Sequence, residues 1–496
     1  MKYILNRYYI LRHDEERTFI LGGRNGVAAK DDKVDLNWIS TIHPAYAMML
    51  SFFSRPIELE VAVNEISDFF SFPKTQIKKF LSKIITAEEC WHTTMGGVES
   101  GFPKGLIIET REENECPDMY KYYKPEDFKF SKLDFNTRRM LSAPLSIVWM
   151  PNNNCYTACE YCYADRKHHH CMFSLDKIRS FIKDARESGV VEILLTGGDF
   201  FENIHWKEIL DTLKEEGYNI DMISTKKPLT ETELKIFREY GIRLQVSLDT
   251  LSEQIAKQLL HVGNGYVDKM MRMIHFADQL HIDFQIATVL TNLNDSLENL
   301  ETLYNCLSNF INIRHWEIRV AFRSLYSKTD FNKIKSSRSQ IKRIGEWIEE
   351  KEINTSLRIL WSPDEDSNYK KAIGGSKYFP GPVCSANMTN MIVLPDGSVT
   401  ICEQLYWNPE FIIGNVFSER IGDIWKSENA IDLWKKSQEF ISKKSPCSKC
   451  KDFQECFDNG NRCIANIIKA YGVEHSDYPD PRCYLAPEFK NVITHE

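Results

Sequence analysis

The 496-residue sequence lacks long apolar runs and lacks an excess of positive charge. No window holds eighteen consecutive apolar residues, so no membrane-spanning helix and no membrane partner are expected. Arg7 and Arg12 interrupt the apolar residues near the N-terminus, so no secretory signal is predicted and we expect a cytoplasmic protein. The net charge of −8 argues against a nucleic-acid partner, because nucleic-acid-binding surfaces are normally basic.

Cysteine, by contrast, is abundant, with fourteen in the chain. Without an export signal, these thiols are better interpreted as metal ligands in a reducing compartment than as disulfides. Most lie in two groups, one from Cys155 to Cys171 and one from Cys384 to Cys483. The length of 496 residues and the 43% of apolar residues predict two or three globular domains around them.

The first group begins with a C-x3-C-x2-C motif formed by Cys155, Cys159 and Cys162. A short loop with this spacing can direct three sulfurs toward one point, and soft thiolates favour an iron–sulfur cluster or zinc. Three thiols on a four-iron cluster leave one iron open. The alternatives are a zinc knuckle and a ferredoxin-type cluster completed by Cys171. The neighbouring residues 168–170, three histidines, are interpreted as a solvated loop.

Strand-like and helical runs alternate from residue 145 onward. The predicted strands are 145–150, 191–196, 219–224, 243–248, 284–290 and 316–321, and the predicted helices between them are 174–188, 204–216, 230–239, 265–280 and 296–309. Six such repeats predict parallel strands with right-handed crossovers. Six strands are too few for a closed eight-stranded barrel, so we predict an open three-quarter barrel with its chemistry at the carboxyl ends of the strands.

The N-terminal residues predict a smaller module. A β-hairpin is expected within the first 30 residues, followed by helices at 36–53, 57–70 and 73–85. A strand pair and three helices suggest a winged-helix-like module. DNA binding is the commonest use of that shape, but the third helix has no arginine cluster.

The cysteine loop, with a strand before it and Tyr161 before its third cysteine, resembles the cluster loop of radical S-adenosylmethionine (SAM) enzymes. The resemblance implies that Cys155, Cys159 and Cys162 hold a catalytic 4Fe–4S cluster. It also implies that S-adenosyl-L-methionine binds the open iron and yields a 5′-deoxyadenosyl radical. The residues expected to contact SAM on this basis are Tyr161, Gly197, Gly198, Asp199, Ser224 and Ser247. Asp199 departs from the glutamate that is usual in the family.

The second cysteine group resembles the SPASM extension of peptide-modifying radical SAM enzymes, because it has a G-x4-C step ending at Cys402 and a C-x2-C-x5-C run from Cys447. The resemblance implies two auxiliary 4Fe–4S clusters. The first would be held by Cys384, Cys402 and Cys463, and the second by Cys447, Cys450, Cys456 and Cys483. Cys463 stands later than the family's spacing places it. A zinc-ribbon domain is the alternative.

The predicted fold class is therefore α/β. It combines a partial, TIM-like (β/α)6 barrel with an N-terminal winged-helix-like module and a C-terminal Cys-rich SPASM domain. The predicted domains are a peptide-recognition module at 1–95, a bridging region at 96–140, a radical SAM barrel at 141–325, a linker with a helix at 326–378, and the SPASM domain at 379–496.

The resemblance implies an oxidoreductase-type enzyme that matures a ribosomally made precursor peptide, whose leader binds the N-terminal module by strand addition. Thioether crosslinking is the most economical chemistry, with a small redox protein as electron donor. Carbon–carbon crosslinking, sulfatase-type maturation and epimerisation with Cys306 as the thiol donor are alternatives. A non-catalytic electron carrier and a DNA-binding iron–sulfur sensor are the alternatives from other classes.

Overall fold

The computed structural model describes residues 1–23, 35, 37–110, 122–166, 168–352, 357–363, 384–458, 462–489, 491 and 493. Cys116 and residues 364–378 of the predicted linker lie outside the described residues. The chain forms two compact units. The first comprises Met1–Leu145, Ala185–Glu192 and Leu213–Asn219, and the second comprises Ser146–Asp184, Ile193–Thr212 and Ile220–Glu496.

Within its described residues, the Met1–Leu145 part of the first unit forms three small antiparallel sheets and three α-helices. Its elements are β1 (Lys2–Leu5), β2 (Tyr9–Asp14), β3 (Arg17–Gly22), β4 (Ile39–Ile42), α1 (Pro44–Ser51), β5 (Ile57–Glu58), α2 (Leu59–Phe70), α3 (Lys74–Ile84), β6 (Trp91–Met95), β7 (Val98–Phe102) and β8 (Ile107–Thr110). The strand orders are β5-β1-β8, β2-β3-β4 and β6-β7. Three helices followed by the β6–β7 hairpin give a winged-helix-like arrangement. The hairpin that the sequence predicts before the helices is β2–β3, whereas the β6–β7 hairpin after them was not predicted.

One expectation for this unit is wrong. The sequence favours a helix over residues 36–53, but Ile39–Ile42 is a strand paired with β3, and the helix begins only at Pro44. Proline suits the first helical position because its fixed φ is helical and no N–H is needed there. The His43 side chain accepts a hydrogen bond from the Ala45 amide at 3.1 Å, which caps the helix.

The core of the first unit extends beyond the segment predicted as the recognition module. Helix α3 buries Ile77, Leu81 and Ile84 in it, at the spacing of one helical face. The same hydrophobic cluster contains Phe102 and Phe128, which lie in the predicted bridging region. The N-terminal helices and the first part of that region therefore share one core.

The barrel strands and helices belong mainly to the second unit. They are β9 (Ser146–Trp149), α4 (Leu175–Glu187), β10 (Glu192–Leu195), α5 (Trp206–Glu215), β11 (Met222–Thr225), α6 (Glu231–Arg238), β12 (Arg243–Ser247), α7 (Glu253–Leu260), α8 (Tyr266–Gln279), β13 (Phe284–Leu290), α9 (Leu297–Leu307), β14 (Ile313–Val320), α10 (Arg338–Glu352) and β15 (Ile359–Ser362). Strands β11 to β15 pair in sequence order, all parallel. The predicted α/β class and partial barrel are confirmed.

The two faces of the barrel sheet differ in polarity. On β12 and β13, Leu244, Val246, Phe284 and Ile286 are fully buried and apolar. Alternate positions carry polar side chains, and Gln285 donates to the Gln245 side chain at 2.8 Å. Because successive side chains of a strand point to opposite faces, these four apolar residues share one face of the sheet and the glutamine pair lies on the other.

The Cys-rich segment continues the barrel's first sheet. Its elements are β16 (Asn390–Val393), β17 (Ser398–Thr400), β18 (Ile412–Asn415), α11 (Ile421–Lys426), α12 (Glu428–Trp434), α13 (Phe453–Asp458) and α14 (Ile464–Tyr471). Strand β16 pairs in parallel with β9, giving the order β10-β9-β16-β17-β18. This segment is thus hydrogen-bonded to the strand that leads into the C-x3-C-x2-C loop. None of the helices in the described residues has the length and apolar character that crossing a bilayer requires.

Candidate metal and cofactor site

The loop that carries Cys155, Cys159 and Cys162 is fixed to the barrel through its own backbone. The amide of Ala158 donates to the carbonyl of Leu260 at 2.8 Å, and the amide of Glu160 donates to Leu259 at 2.9 Å. These two acceptors are at the end of α7. Arg166 also donates to the carbonyl of Thr157, at 3.0 Å. The loop between the cysteines is therefore held in place by contacts within the protein.

Gly197 and Gly198 bring the start of this loop against the end of β10. The Gly198 amide donates to the carbonyl of Asn152 at 3.0 Å, and the Asp199 amide donates to Asn154 at 2.6 Å. A Cβ on Gly198 would lie 2.0 Å from the Asn154 carbonyl oxygen. Gly197 also has a φ of +110°, which glycine tolerates best. Both glycines are thus required by the close approach of two backbone segments.

Replacing Gly198 with alanine is expected to push the Asn153–Asn154 backbone away from β10. Overpacking of this kind costs about 1–3 kcal/mol, so we expect cluster loading and 5′-deoxyadenosine formation to fall by about tenfold or more. Iron content after anaerobic reconstitution and the nucleoside yield measure the effect. Gly263→Ala is the control, because its added Cβ meets nothing within 4 Å. Equal yields from the two variants would contradict this role for Gly198.

The three loop thiols are partly buried. Burial raises the pKa of Cys155 to about 12 and also raises the pKa of Cys162, and the neighbouring thiols add to both shifts. The hydroxyl of Thr157 lies 3.2 Å from the Cys159 sulfur. Within the described residues, these cysteines do not bring three donor atoms within 4.8 Å of one another, as a single zinc ion would require. Their wider arrangement suits a cluster, in which each thiolate binds a different iron.

A buried charged pair lies beside these thiols. Tyr161 donates through its hydroxyl to Asp249 at 2.6 Å, and the Lys226 ammonium donates to the same oxygen at 2.9 Å. The side chains of Asp249 and Lys226 are 0% and 17% exposed. Burial lowers the pKa of Lys226, but Asp249, Cys159 and Cys162 outweigh it and the net shift is upward. Lys226 therefore keeps its positive charge next to the loop thiols.

The carboxylate of Asp199, a predicted SAM contact, accepts several hydrogen bonds at the same edge of the sheet. Its carboxylate accepts hydrogen bonds from the Thr225 hydroxyl at 2.8 and 2.9 Å. It also accepts from the amides of Lys226 at 2.8 Å, Lys227 at 3.0 Å and Phe201 at 3.2 Å. The side chain thus ties the end of β10 to the end of β11.

Two predicted SAM-contact residues, Ser224 and Ser247, lie at the ends of β11 and β12. The side chain of Ser224 is exposed and that of Ser247 is half-buried. Their hydroxyls have no hydrogen-bond partner among the described residues. Both lie at the strand ends where the cysteine loop and Asp249 also lie, so they are available to a ligand.

Seven C-terminal cysteines line two cavities in the second unit. One cavity is lined by Cys384, Cys402 and Cys463, and the other by Cys447, Cys450, Cys456 and Cys483. These are the two sets that the sequence resemblance implies. Cys456 and Arg462 line both cavities. The structure thus groups Cys463 with the first set despite its unusual spacing.

The chemistry of these cavities fits metal clusters. Burial raises the pKa of Cys402 and of Cys456 to about 12, and that of Cys483 to about 11. A buried thiol with such a pKa stays protonated near neutral pH unless a metal takes the place of the proton. The thirteen cysteines that the structure describes form no disulfides. Each set can therefore supply thiolate ligands to an iron–sulfur cluster.

Aromatic side chains follow both thiol loops. Tyr163 comes directly after Cys162, and Tyr406 lies four residues after Cys402. Their ring centroids are 6.4 Å apart, and both rings pack in one cluster with Met150. This cluster connects the loop at the barrel with the loop at the first C-terminal cavity.

The sequence prediction missed two lysines of this region. Lys226 follows β11 directly, so its position at the carboxyl end of a barrel strand is a signal that could have identified it. Lys469 is buried on α14, where burial lowers its pKa to about 8 despite the nearby thiols of Cys463 and Cys402. Its ammonium donates to Gln404 at 2.6 Å. The sequence gives no signal for this second lysine beyond a helical position.

Comparison with known proteins identifies two family domains in the chain. The model of the Radical SAM superfamily matches residues 149–304. The model of SPASM, an iron–sulfur cluster-binding domain, matches residues 384–451. The first match contains the C-x3-C-x2-C loop, and the second contains Cys384, Cys402, Cys447 and Cys450. The cofactors are accordingly a SAM-binding 4Fe–4S cluster, auxiliary 4Fe–4S clusters and S-adenosyl-L-methionine.

The fold also resembles solved structures over nearly its full length. Streptococcus suis SuiB bound to S-adenosylmethionine is 15% identical, with a TM-score of 0.63 over 97% of this chain and 100% of that chain. SuiB bound to precursor peptide SuiA is 16% identical, with a TM-score of 0.64 over 98% of this chain and 100% of that chain. At these identities the likeness concerns the fold.

Curated relatives are similar over a shorter region. A probable GTP 3′,8-cyclase of Methanococcus maripaludis is 29% identical over 113 residues, which are 22% of this chain and 38% of the relative. The GTP 3′,8-cyclase of Clostridium perfringens is 27% identical over 179 residues, 34% and 53% of the two chains. The chain thus spans between two fifths and about half of the length of these relatives.

Proposed function

We propose that this protein, a radical SAM enzyme with a SPASM domain, modifies a ribosomally made precursor peptide by forming a thioether crosslink. The observation that carries the proposal is the combination of the three-thiol barrel loop with two further thiol-lined cavities in the same compact unit. An enzyme with a single cluster would need only the three-thiol barrel loop. The likeness to SuiB, whose structure was solved with a precursor peptide, supports a peptide as the substrate class.

The N-terminal unit is the proposed binding place for the leader segment of the peptide. One of its two three-stranded sheets has the order β2-β3-β4, and the leader would add to this sheet as a further strand through backbone hydrogen bonds. The near-complete coverage of SuiB includes this part of the chain. The net charge of −8 disfavours DNA as the ligand.

The proposed roles of the chain's own residues follow from their contacts. Cys155, Cys159 and Cys162 would hold the SAM-binding cluster, and Ser224 and Ser247 would donate hydrogen bonds to SAM. When bound, the cluster and SAM supply a radical that removes hydrogen from unactivated carbon. Asp249 holds the Tyr161 hydroxyl and the Lys226 ammonium in fixed positions beside the thiols, which limits rearrangement of the site during the reaction.

A thioether bond requires an electron acceptor. Joining a cysteine sulfur to carbon removes one hydrogen atom, one proton and one electron from the peptide. The thiol-lined C-terminal cavities are where this chain would hold centres able to accept that electron. A small redox protein would supply the reducing electron for SAM cleavage.

Epimerisation with Cys306 as hydrogen donor is not favoured by the structure. Cys306 lies near the carboxyl end of α9, which leads to the first residue of β14. In a β/α barrel that end of a helix faces the amino ends of the strands, opposite to the catalytic side. Cys306 is therefore badly placed to reach a peptide at the cysteine loop.

The test uses the Cys456→Ala variant, because Cys456 lines both C-terminal cavities. We expect it to cleave SAM within about twofold of the unaltered enzyme, since the barrel loop is intact. We expect no crosslinked peptide. The enzyme is reconstituted anaerobically and incubated with SAM, reductant and a precursor peptide encoded beside its gene. The crosslinked product is detected by mass spectrometry, because its mass is lower than that of the precursor peptide by two hydrogen atoms.

The exposed Cys90 provides the matched control. Cys90→Ala should retain both SAM cleavage and crosslinking. Full crosslinking by Cys456→Ala would refute the role assigned to the C-terminal cavities. A product with unchanged mass and an inverted stereocentre would refute the thioether while leaving peptide modification in place.

A further inference from the structure

We propose a mononuclear metal site, of the zinc class, formed by His168, His169 and Cys171. Among the described residues this is the one group of at least three His, Cys, Asp or Glu side chains whose donor atoms all lie within 4.8 Å of one another. The site is separate from the three cysteine sets of the iron–sulfur clusters. It also differs from the solvated loop that the sequence predicts for residues 168–170.

The segment that carries the three ligands is held in place by Asn152 and Asn153. The Asn153 side chain accepts a hydrogen bond from the Cys171 amide at 2.9 Å and donates one to the His169 carbonyl at 3.0 Å. A β-bridge also joins Asn152 to Met172. The backbone at His169 and at Cys171 is thus held in place before any ion binds, which lowers the entropy cost of binding.

His168 is the ligand whose surroundings point most directly to a metal. Its ring stacks on Trp407 with centroids 3.8 Å apart and an angle of 7° between the planes. The indole of Trp407 is itself anchored, donating to Asp396 at 2.9 Å. The Nε2 atom of His168 is buried and has no hydrogen-bond partner within the part of the chain that the structure describes. Buried polar atoms are normally hydrogen-bonded, so an unpaired buried nitrogen needs another partner. A metal ion that accepts its lone pair would be such a partner.

The donor set selects the class of ion. Two imidazole nitrogens and one thiolate are ligands that zinc prefers, with metal–ligand distances of about 2.0–2.3 Å. Donor atoms in such a tetrahedron lie about 3.5 Å apart, and the three donor atoms here all lie within 4.8 Å of one another. Three protein ligands leave a fourth position, which water can fill. Calcium and magnesium are disfavoured because they prefer oxygen ligands.

The site has a consequence for the neighbouring cluster loop. Asn153 binds the metal segment through its side chain, and its backbone lies beside Gly198 at the start of that loop. A bound ion would therefore stiffen the connection between the cysteine loop and α4. The bound ion would also engage Cys171, the thiol that could otherwise complete the SAM-binding cluster as a fourth ligand.

Metal analysis of the full-length enzyme tests the proposal. The protein is prepared without a histidine tag, reconstituted with iron and sulfide, exposed to zinc chloride and desalted. We expect about one zinc ion per chain in addition to iron. The double variant His168→Ala/Cys171→Ser should lose this zinc, with affinity lowered at least about 100-fold, and should keep its iron. Cobalt(II) in place of zinc should give a thiolate absorption band that Cys171→Ser abolishes.

His170→Ala is the matched control, since His170 adjoins the group without belonging to it. It should bind zinc like the unaltered chain. Zinc retained by the double variant, or no zinc beyond background in the unaltered chain, would overturn the proposal. Iron lost from Cys171→Ser with zinc unchanged would instead make Cys171 a cluster ligand. None of these readouts needs SAM or peptide, so their outcome is independent of the proposed function.

Discussion

Replacing Cys159 with alanine is expected to reduce 5′-deoxyadenosine formation to the uncatalysed background. Cys159 is the central thiol of the loop, and its sulfur lies 3.2 Å from the Thr157 hydroxyl. Two remaining thiols cannot hold a four-iron cluster firmly, and without the cluster no electron reaches SAM. The nucleoside is measured after incubation with SAM and reductant, together with the iron content of the SPASM domain.

The control for Cys159→Ala is Cys306→Ala. Cys306 is half-buried near the end of α9, and burial alone raises its pKa. The loss of a thiol there is expected to leave nucleoside formation unchanged. If Cys159→Ala still forms 5′-deoxyadenosine at the normal rate, the assignment of the SAM-binding cluster to this loop is wrong.

Asp249→Asn is expected to destabilise the protein by about 3 kcal/mol. Asp249 accepts hydrogen bonds from Tyr161, from Lys226 and from the Val289 amide at 2.9 Å. Asparagine keeps the volume but removes the charge, which leaves the Lys226 ammonium in a buried position without its counter-ion. An uncompensated buried charge is what makes the loss of one partner costly. SAM cleavage should fall as well, because Tyr161 loses its anchor.

The measurement is the urea concentration at the midpoint of unfolding of the reconstituted enzyme, with unfolding monitored by tryptophan fluorescence. Glu346→Gln is the control, since Glu346 and Lys342 form an exposed pair on α10 that is worth about 0.5 kcal/mol or less. The double variant Asp249→Asn/Lys226→Met should regain part of the lost stability, because no unpaired charge remains. If the double variant is less stable than Asp249→Asn, the buried charge is not the cause.

Local patterns in the sequence were enough to predict much of the fold. The alternation of strands and helices predicts the six barrel strands, because the period of apolar residues differs between strands and helices. The wrong prediction at residues 36–53 has a cause that the local pattern does not contain. The apolar residues of β4 precede a proline that starts the helix, and pairing with β3 outweighs their weak helical pattern.

The sequence alone determined which cysteines can serve as cluster ligands, because the order of residues along the chain fixes the spacing of the thiols in the barrel loop and in the C-terminal run. Only the tertiary structure brought Cys463 into one cavity with Cys384 and Cys402. Only the tertiary structure placed Lys226 against Asp249, and His168 against Trp407. The reason is physical: ligand spacing within a loop is fixed by the backbone, whereas these partners meet through strand order and packing between distant segments.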